Sequence, residues 1–163
     1  MTADTEAVKW FSKAAEQGNA FYQAELGYNY YFGFGVPQDY AEAVKWYRKA
    51  AEQDYADAQW RLGLCYHKGQ GVPQDDAEAM HWYRKAAQQG DADAQNNLGT
   101  SYANGEGVIR DDVQAYKWIN LASAQGETNA NKTLLILEQR MPPEQIAEGR
   151  RLARQFEPRK ETR

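Results

Sequence analysis

The chain has 163 residues and 18.6 kDa, with 42% apolar and 26% charged residues, which suits one folded domain and excludes compositional disorder. Its apolar runs are as short as Leu134-Leu135-Ile136-Leu137, against about 20 residues for a membrane span. One cysteine, Cys65, excludes an internal disulfide framework and a cysteine-built zinc site, and a net charge of −4 argues against a nucleic-acid binder.

The chain repeats every 36 residues. Trp10, Trp46, Trp82 and Trp118 share one register, as do Ala14, Ala50, Ala86 and Ala122. Residues 35–53 match residues 71–89 at 15 of 19 positions. Residues 1–18 read as a half-unit, a single helix with the stripe Ala7, Trp10, Phe11 and Ala14 that needs a neighbour. Its start, Met1-Thr-Ala-Asp-Thr-Glu6, has neither the basic residues nor the apolar stretch of a leader. The chain as given is expected in the cytoplasm, or in the periplasm or outside the cell if a leader has been removed.

Three full units follow, residues 19–54, 55–90 and 91–126, each predicted to hold two helices. The first spans 20–32, with copies at 56–68 and 92–104. Leu26 and Tyr30, then Leu62 and Tyr66, then Leu98 and Tyr102, share its inner face. Gly27, Gly63 and Gly99 recur inside this helix at a cost of about 1 kcal/mol each relative to Ala, which implies close approach of a neighbouring helix. The second helix spans 40–53, with copies at 76–89 and 112–125. Ala43, Trp46, Tyr47, Ala50 and Ala51 form its apolar stripe. Asp39 with Glu42, Asp75 with Glu78, and Asp111 with Gln114 have capping-box spacing. A Gly-x-Gly linker stops each first helix. Gly18, Gly90 and Gly126 stop the second helices, and Asp54 in their slot predicts a less relaxed turn. Residues 127–157 are a degenerate unit, read as a polar cap ending in a helix over 144–156. Residues 158–163 read as a frayed tail. Arg140, Arg150, Arg151, Arg154, Arg159, Lys160 and Arg163 make the C-terminal end basic, read as a solvated surface.

Leu62-Gly63, Tyr66, Gly69, Gly71-Val72, Asp75, Ala79, Trp82-Tyr83, Lys85-Ala86-Ala87 and Gly90 resemble the Sel1-like repeat, a relative of the tetratricopeptide repeat. The resemblance covers residues 5–126. It implies an all-α fold, a right-handed α-solenoid of antiparallel helix pairs whose first helices line the concave side. It also implies an adaptor role, often bacterial. A cysteine-rich branch of the family is linked to β-lactam binding or hydrolysis.

The residues offer little chemistry. His81 replaces Lys45 and Lys117, and His67 replaces Tyr31 and Ala103, so both read as surface substitutions. Cys65 reads as an inert, partly buried thiol. The Gly-x-Gly linkers lack the Gly-Lys-Ser/Thr of a phosphate loop, and Ser12, Ser101 and Ser123 lack a lysine three positions on. No catalytic, cofactor or metal set is predicted, and the chain reads as a non-enzyme.

Recognition is sought where the units differ. On the first helices, positions 24, 25, 28, 31 and 32 and their copies fall opposite the Leu26 face. Four of those five change chemical class from unit to unit. The predicted protein- or peptide-binding residues are Tyr28, Tyr31, Phe32, Trp60, Arg61, Leu64, Lys68 and Asn97. Trp60 is the one tryptophan off the 36-residue register, and it suits ligand contact or helix packing equally. Arg61 and Lys68 suit a carboxylate or phosphate on a peptide, or Glu25 and other nearby acids. The leading function is a scaffold binding a protein or peptide in the groove of first helices. The alternatives are a cell-wall or β-lactam-related hydrolase, and a self-assembling module, such as a homodimer, joined through the Trp10 and Phe11 edge.

Overall fold

The computed structural model describes residues 3–159, and among them there are nine helices and no strand. Two compact units divide the chain, Met1–Asp75 and Asp76–Arg163. The first contains α1 (Ala3–Glu16), α2 (Ala20–Phe32), α3 (Tyr40–Ala51) and α4 (Ala56–Lys68). The second contains α5 (Asp76–Gln88), α6 (Ala92–Asn104), α7 (Asp112–Ala124), α8 (Thr128–Arg140) and α9 (Pro143–Arg154). The fold is an all-α helical repeat.

The first helices of the three full units have the predicted bounds. The second helices stop one or two residues early, because their last residues tighten into a turn in which Gln53 and Asp54 donate to the Ala50 and Ala51 carbonyls. The caps follow the sequence only in part. Asp39 accepts from the Glu42 amide and Asp111 from the Gln114 amide, each satisfying an orphan donor. The reciprocal half of the Asp39 box does not form. The Asp39 amide instead donates to the Tyr30 carbonyl, and Glu42 pairs with Lys45. That Asp39–Tyr30 bond ties the end of α2 to the start of α3, while Gln53 donates to Gln23 at their other ends, so the two helices run antiparallel.

Glycine sets how closely the helices meet. A Cβ on Gly27 would lie 2.7 Å from Cδ1 of Tyr47, and one on Gly99 would lie 2.6 Å from Cγ1 of Ile119. Tyr47 and Ile119 are fully buried, so neither can swing away. In the linker, a Cβ on Gly71 would sit 2.2 Å from the Tyr40 carbonyl oxygen, and φ of 75° there is strained for any other residue. Asp54 is the one non-glycine residue with positive φ among those described, at 60°, and its carboxylate accepts from Gln59.

In the first unit Val8, Ala15 and Leu26 form one core cluster with Tyr22, Tyr30, Val36 and Trp46 around it. In the second, Tyr116, Ile119, Ala130, Leu137 and Met141 are packed by Tyr102, Val113, Leu134 and Ile146. Here the degenerate unit departs from expectation. It is not a uniformly polar cap, since α8 turns Leu135 and Ile136 outward, 62% and 57% exposed. Its last helix packs on α7, where a Cβ on Gly149 would come 2.8 Å from the Tyr116 ring. Phe156 then meets Trp118 edge-on at 5.4 Å, and the Arg159 amide donates to the Gln88 carbonyl at 2.8 Å. Backbone contact thus extends to residue 159, and the rest of the predicted tail, 160–163, lies outside the described residues.

Asp112 is the electrostatic focus of the second unit. It accepts from Arg110 at 3.0 and 3.1 Å and from Arg140 at 2.6 and 3.2 Å, and Arg140 also donates to the Ala103 carbonyl. The Arg110 and Arg140 guanidinium groups hold its carboxyl below the usual carboxylate range.

Two outcomes are expected. Gly99→Ala gains about 1 kcal/mol of helix propensity but overpacks the Ile119 contact at a cost of about 1–3 kcal/mol, so denaturant unfolding should show net destabilisation. Asp112→Asn should cost about 1 kcal/mol near neutral pH. Because the folded pKa is depressed, that difference should be complete above about pH 5, shrink as pH falls below the free carboxylate value of about 4, and be gone only below the folded pKa. Paired unfolding curves of the two proteins across this range would measure it.

Candidate functional site

In the first unit, the side of α2 opposite Leu26 faces the corresponding side of α4. Tyr28, Tyr31 and Phe32 occupy the last turns of α2. Trp60, Arg61, Leu64 and Lys68 follow one another along α4, with Arg61, Leu64 and Lys68 at the spacing of a single helix face. A cleft of about 130 Å³ opens among Tyr31, Phe32, Tyr47, Trp60, Arg61, Leu64 and Lys68. Six of the eight sequence-predicted residues therefore line one cavity. Tyr28 stands beside it, with its ring 4.9 Å from the Arg61 guanidinium. Asn97 belongs to α6 in the second unit, where it is half-buried. Ala24, which helical spacing puts on the same face as Tyr28, is buried.

The aromatic residues hold one another. Tyr28 and Phe32 have ring centroids 4.6 Å apart, and Tyr31 and Phe32 4.8 Å apart. Phe34, from the linker, stacks on Phe32 at 5.7 Å. Tyr31 also meets Tyr40 at 5.0 Å and donates its hydroxyl to Gln70 of the next linker. Burial pushes the Tyr31 phenol up from its ordinary value and does so more strongly for Tyr47. Phe32 remains 46% exposed, so the cluster is rigid without being closed.

Arg61 is the fixed charge of the site. Its Nε donates to Asp57 at 2.7 Å, and the guanidinium lies over Tyr28 and, at 5.1 Å, over Trp60. Burial opposes its charge, but the Asp57 carboxylate more than offsets this and raises its pKa. Of the two partners the sequence leaves open for Arg61, a peptide or a nearby acid, Asp57 takes this bond. Lys68 is exposed at the mouth and, among the described residues, makes no ion pair.

The size of the cleft limits its occupant. Small-molecule and cofactor sites run to about 300–1,000 Å³. A cavity of about 130 Å³ holds one large apolar side chain. The wall chemistry, mostly rings and Leu64 with charge at the rim, matches an anchor pocket at a protein contact.

Cys65 is fully buried rather than partly buried, because its side of α4 faces the core, and burial pushes its thiol up to about 12. His81 is exposed, edge-on to Trp82 at 5.1 Å, while His67 is half-buried. Among the described residues there is no group of three or more His, Cys, Asp or Glu side chains able to hold a metal ion, and no helix is long and apolar enough to cross a membrane. In the basic C-terminal end, Arg140 pairs with Asp112, Arg150 with Glu138 and Arg151 with Glu148, while Lys160 and Arg163 lie outside the described residues. Sequence reasoning missed Tyr47, taken only as stripe, and Asp57. The signal for Asp57 was its place four residues before Arg61.

Comparisons with known proteins agree with this architecture. The Sel1 repeat profile matches residues 4–19, 20–55, 56–91 and 92–127. Comparison with curated protein sequences finds no match. The chain is 39% identical, with a TM-score of 0.85 over 92% of its length, to c5321, a protective antigen of uropathogenic Escherichia coli strains displaying an SLR fold. It is 34% identical, with a TM-score of 0.78 over 94% of its length, to a Sel1 repeat protein from Oxalobacter formigenes. It is 26% identical, with a TM-score of 0.62 over 79% of its length, to the cysteine rich protein B of Helicobacter pylori, of which it spans 92%. The chain spans 32% of the length of the E. coli antigen and 65% of that of the Oxalobacter protein. With four matched repeats and this helix-pair geometry, the chain belongs to the Sel1 repeat family.

Proposed function

We propose that the chain is a non-enzymatic scaffold that binds a protein or peptide segment on the face formed by the first helices α2 and α4, with the cleft between them as the anchor. Sel1 repeat proteins generally serve as protein–protein interaction scaffolds, and no catalytic family is indicated. The observation that carries the reading is the cleft itself, an aromatic pocket sized for one side chain, with Arg61 fixed in its wall and Lys68 at its rim. Helix pairs hold these groups in place before binding, so little ordering entropy is lost on association. The hydrolase alternative finds no support in Cys65, whose buried thiol is far from the low-pKa, accessible state of a nucleophile.

The test is affinity capture from a lysate of the source organism, followed by mass spectrometry. A partner should bind the wild-type chain and be lost with Tyr28→Ala/Trp60→Ala, with helical circular dichroism unchanged. Identical partner lists from both proteins, or loss of helicity in the double variant, would sink the site assignment.

Self-association is a second reading, favoured by Trp10. At this register Trp82 and Trp118 are 6% and 5% exposed, whereas Trp10 is 77% exposed. A bare indole of this size is typical of a contact surface. Sedimentation of the chain should then show a concentration-dependent dimer that Trp10→Ala returns to monomer. A monomer at all concentrations removes this reading.

A further inference from the structure

Resting on the anchor-cleft reading above, we infer that the occupant of the cleft is an acidic peptide segment, which seats one apolar side chain among Phe32, Trp60 and Leu64 and places a neighbouring carboxylate on Lys68. Aromatic walls ordinarily favour a cation, because ring faces are electron-rich. Here the Tyr28 and Trp60 rings are already taken, with the Arg61 guanidinium 4.9 and 5.1 Å from their centroids. A lysine or arginine of a partner would find those rings occupied and would meet Lys68 as a like charge.

The anionic side of the site is also spoken for. Asp57 is bound to Arg61, so each offsets the other's charge. Lys68 projects at the mouth with no ion-pair partner among the described residues. Lys68 therefore puts a positive charge at the rim, although the chain as a whole carries −4. A carboxylate next to an apolar anchor satisfies both parts of the site. A neutral segment would satisfy only the apolar part, and a basic one would be repelled.

Three pools of short fluorescein-labelled synthetic peptides test this on the full chain by fluorescence anisotropy. Each pool carries Leu, Met or Phe at its centre in an alanine background, flanked by Glu in the first, Gln in the second and Lys in the third. The Glu pool should bind about threefold or more tighter than the Gln pool, as expected for one partly exposed ion pair, and the Lys pool weakest. Raising salt from about 50 to about 500 mM should erase the Glu-to-Gln difference. Lys68→Glu, an exposed change that leaves the core alone, should reverse the order of the Glu and Lys pools. Leu64→Trp, which fills the cleft, should weaken all pools about tenfold or more, with thermal unfolding recorded alongside. Equal binding of the Glu and Gln pools, or an order unmoved by Lys68→Glu, overturns the acidic preference while leaving the anchor in place. Binding by no pool, or binding indifferent to a folded Leu64→Trp, overturns the anchor reading and this inference with it.

Discussion

The buried glutamine in each first helix holds consecutive helices together. Gln23, Gln59 and Gln95 each donate their side-chain amide to a carbonyl eight residues back, those of Ala15, Ala51 and Ala87, at 3.0–3.2 Å. These carbonyls lie in the last turn of a helix, where each accepts one turn amide, from Gly18, Asp54 or Gly90, and the glutamine supplies a second donor. All three glutamines are buried, so an amide or carbonyl left unpaired would cost about 1–3 kcal/mol. The bond sets both the distance and the rotation between the end of one second helix and the start of the next first helix. Gln53 and Gln125 complete it by donating to the glutamines at 23 and 95. In the degenerate unit the same register holds Asn131, one methylene shorter and exposed, which instead receives the Ser123 hydroxyl.

This regularity reaches the cleft through glycine. Because Gly27 carries no side chain, the Tyr47 ring can lie against the α2 backbone. From there Tyr47 also lines the cleft between α2 and α4. A residue that serves the core on one side thus serves the candidate site on the other. The site is consequently as rigid as the core, and its varied residues, Tyr31, Trp60, Arg61 and Lys68, stand on an invariant frame.

What could be read from sequence follows the same division. The bounds of α2, α4 and α6 were legible because each is preceded by a turn signal and ended by a glycine, and repetition averaged out accidents in any single copy. The close approach at Gly27 was legible from the cost of a glycine that recurs inside the helix. The role of Tyr47 was not, because recurrence marks a residue as scaffold and hides a second use. The tie between Asp57 and Arg61 is local and could have been read from spacing. The docking of α9 on α7 could not, since it occurs once and has no internal copy to compare. Leu135 shows the same limit. It stands in the register of Gly27, Gly63 and Gly99, but its outward orientation depends on what does not pack beside it.

The lone thiol gives the molecule an internal gauge. Cys65 sits on α4 between Leu64 of the cleft wall and Tyr66, with no exposure to solvent and with its ionisation suppressed. A thiol reagent in water can meet it only when α4 opens. With no second cysteine to compete, its modification rate is a single-site clock of that opening. When closing is fast, the clock reads an equilibrium, the free energy that separates the packed helix from its exposed form. Any occupant that bridges α2 and α4 binds the closed form alone, so it would slow the clock in proportion to its own grip.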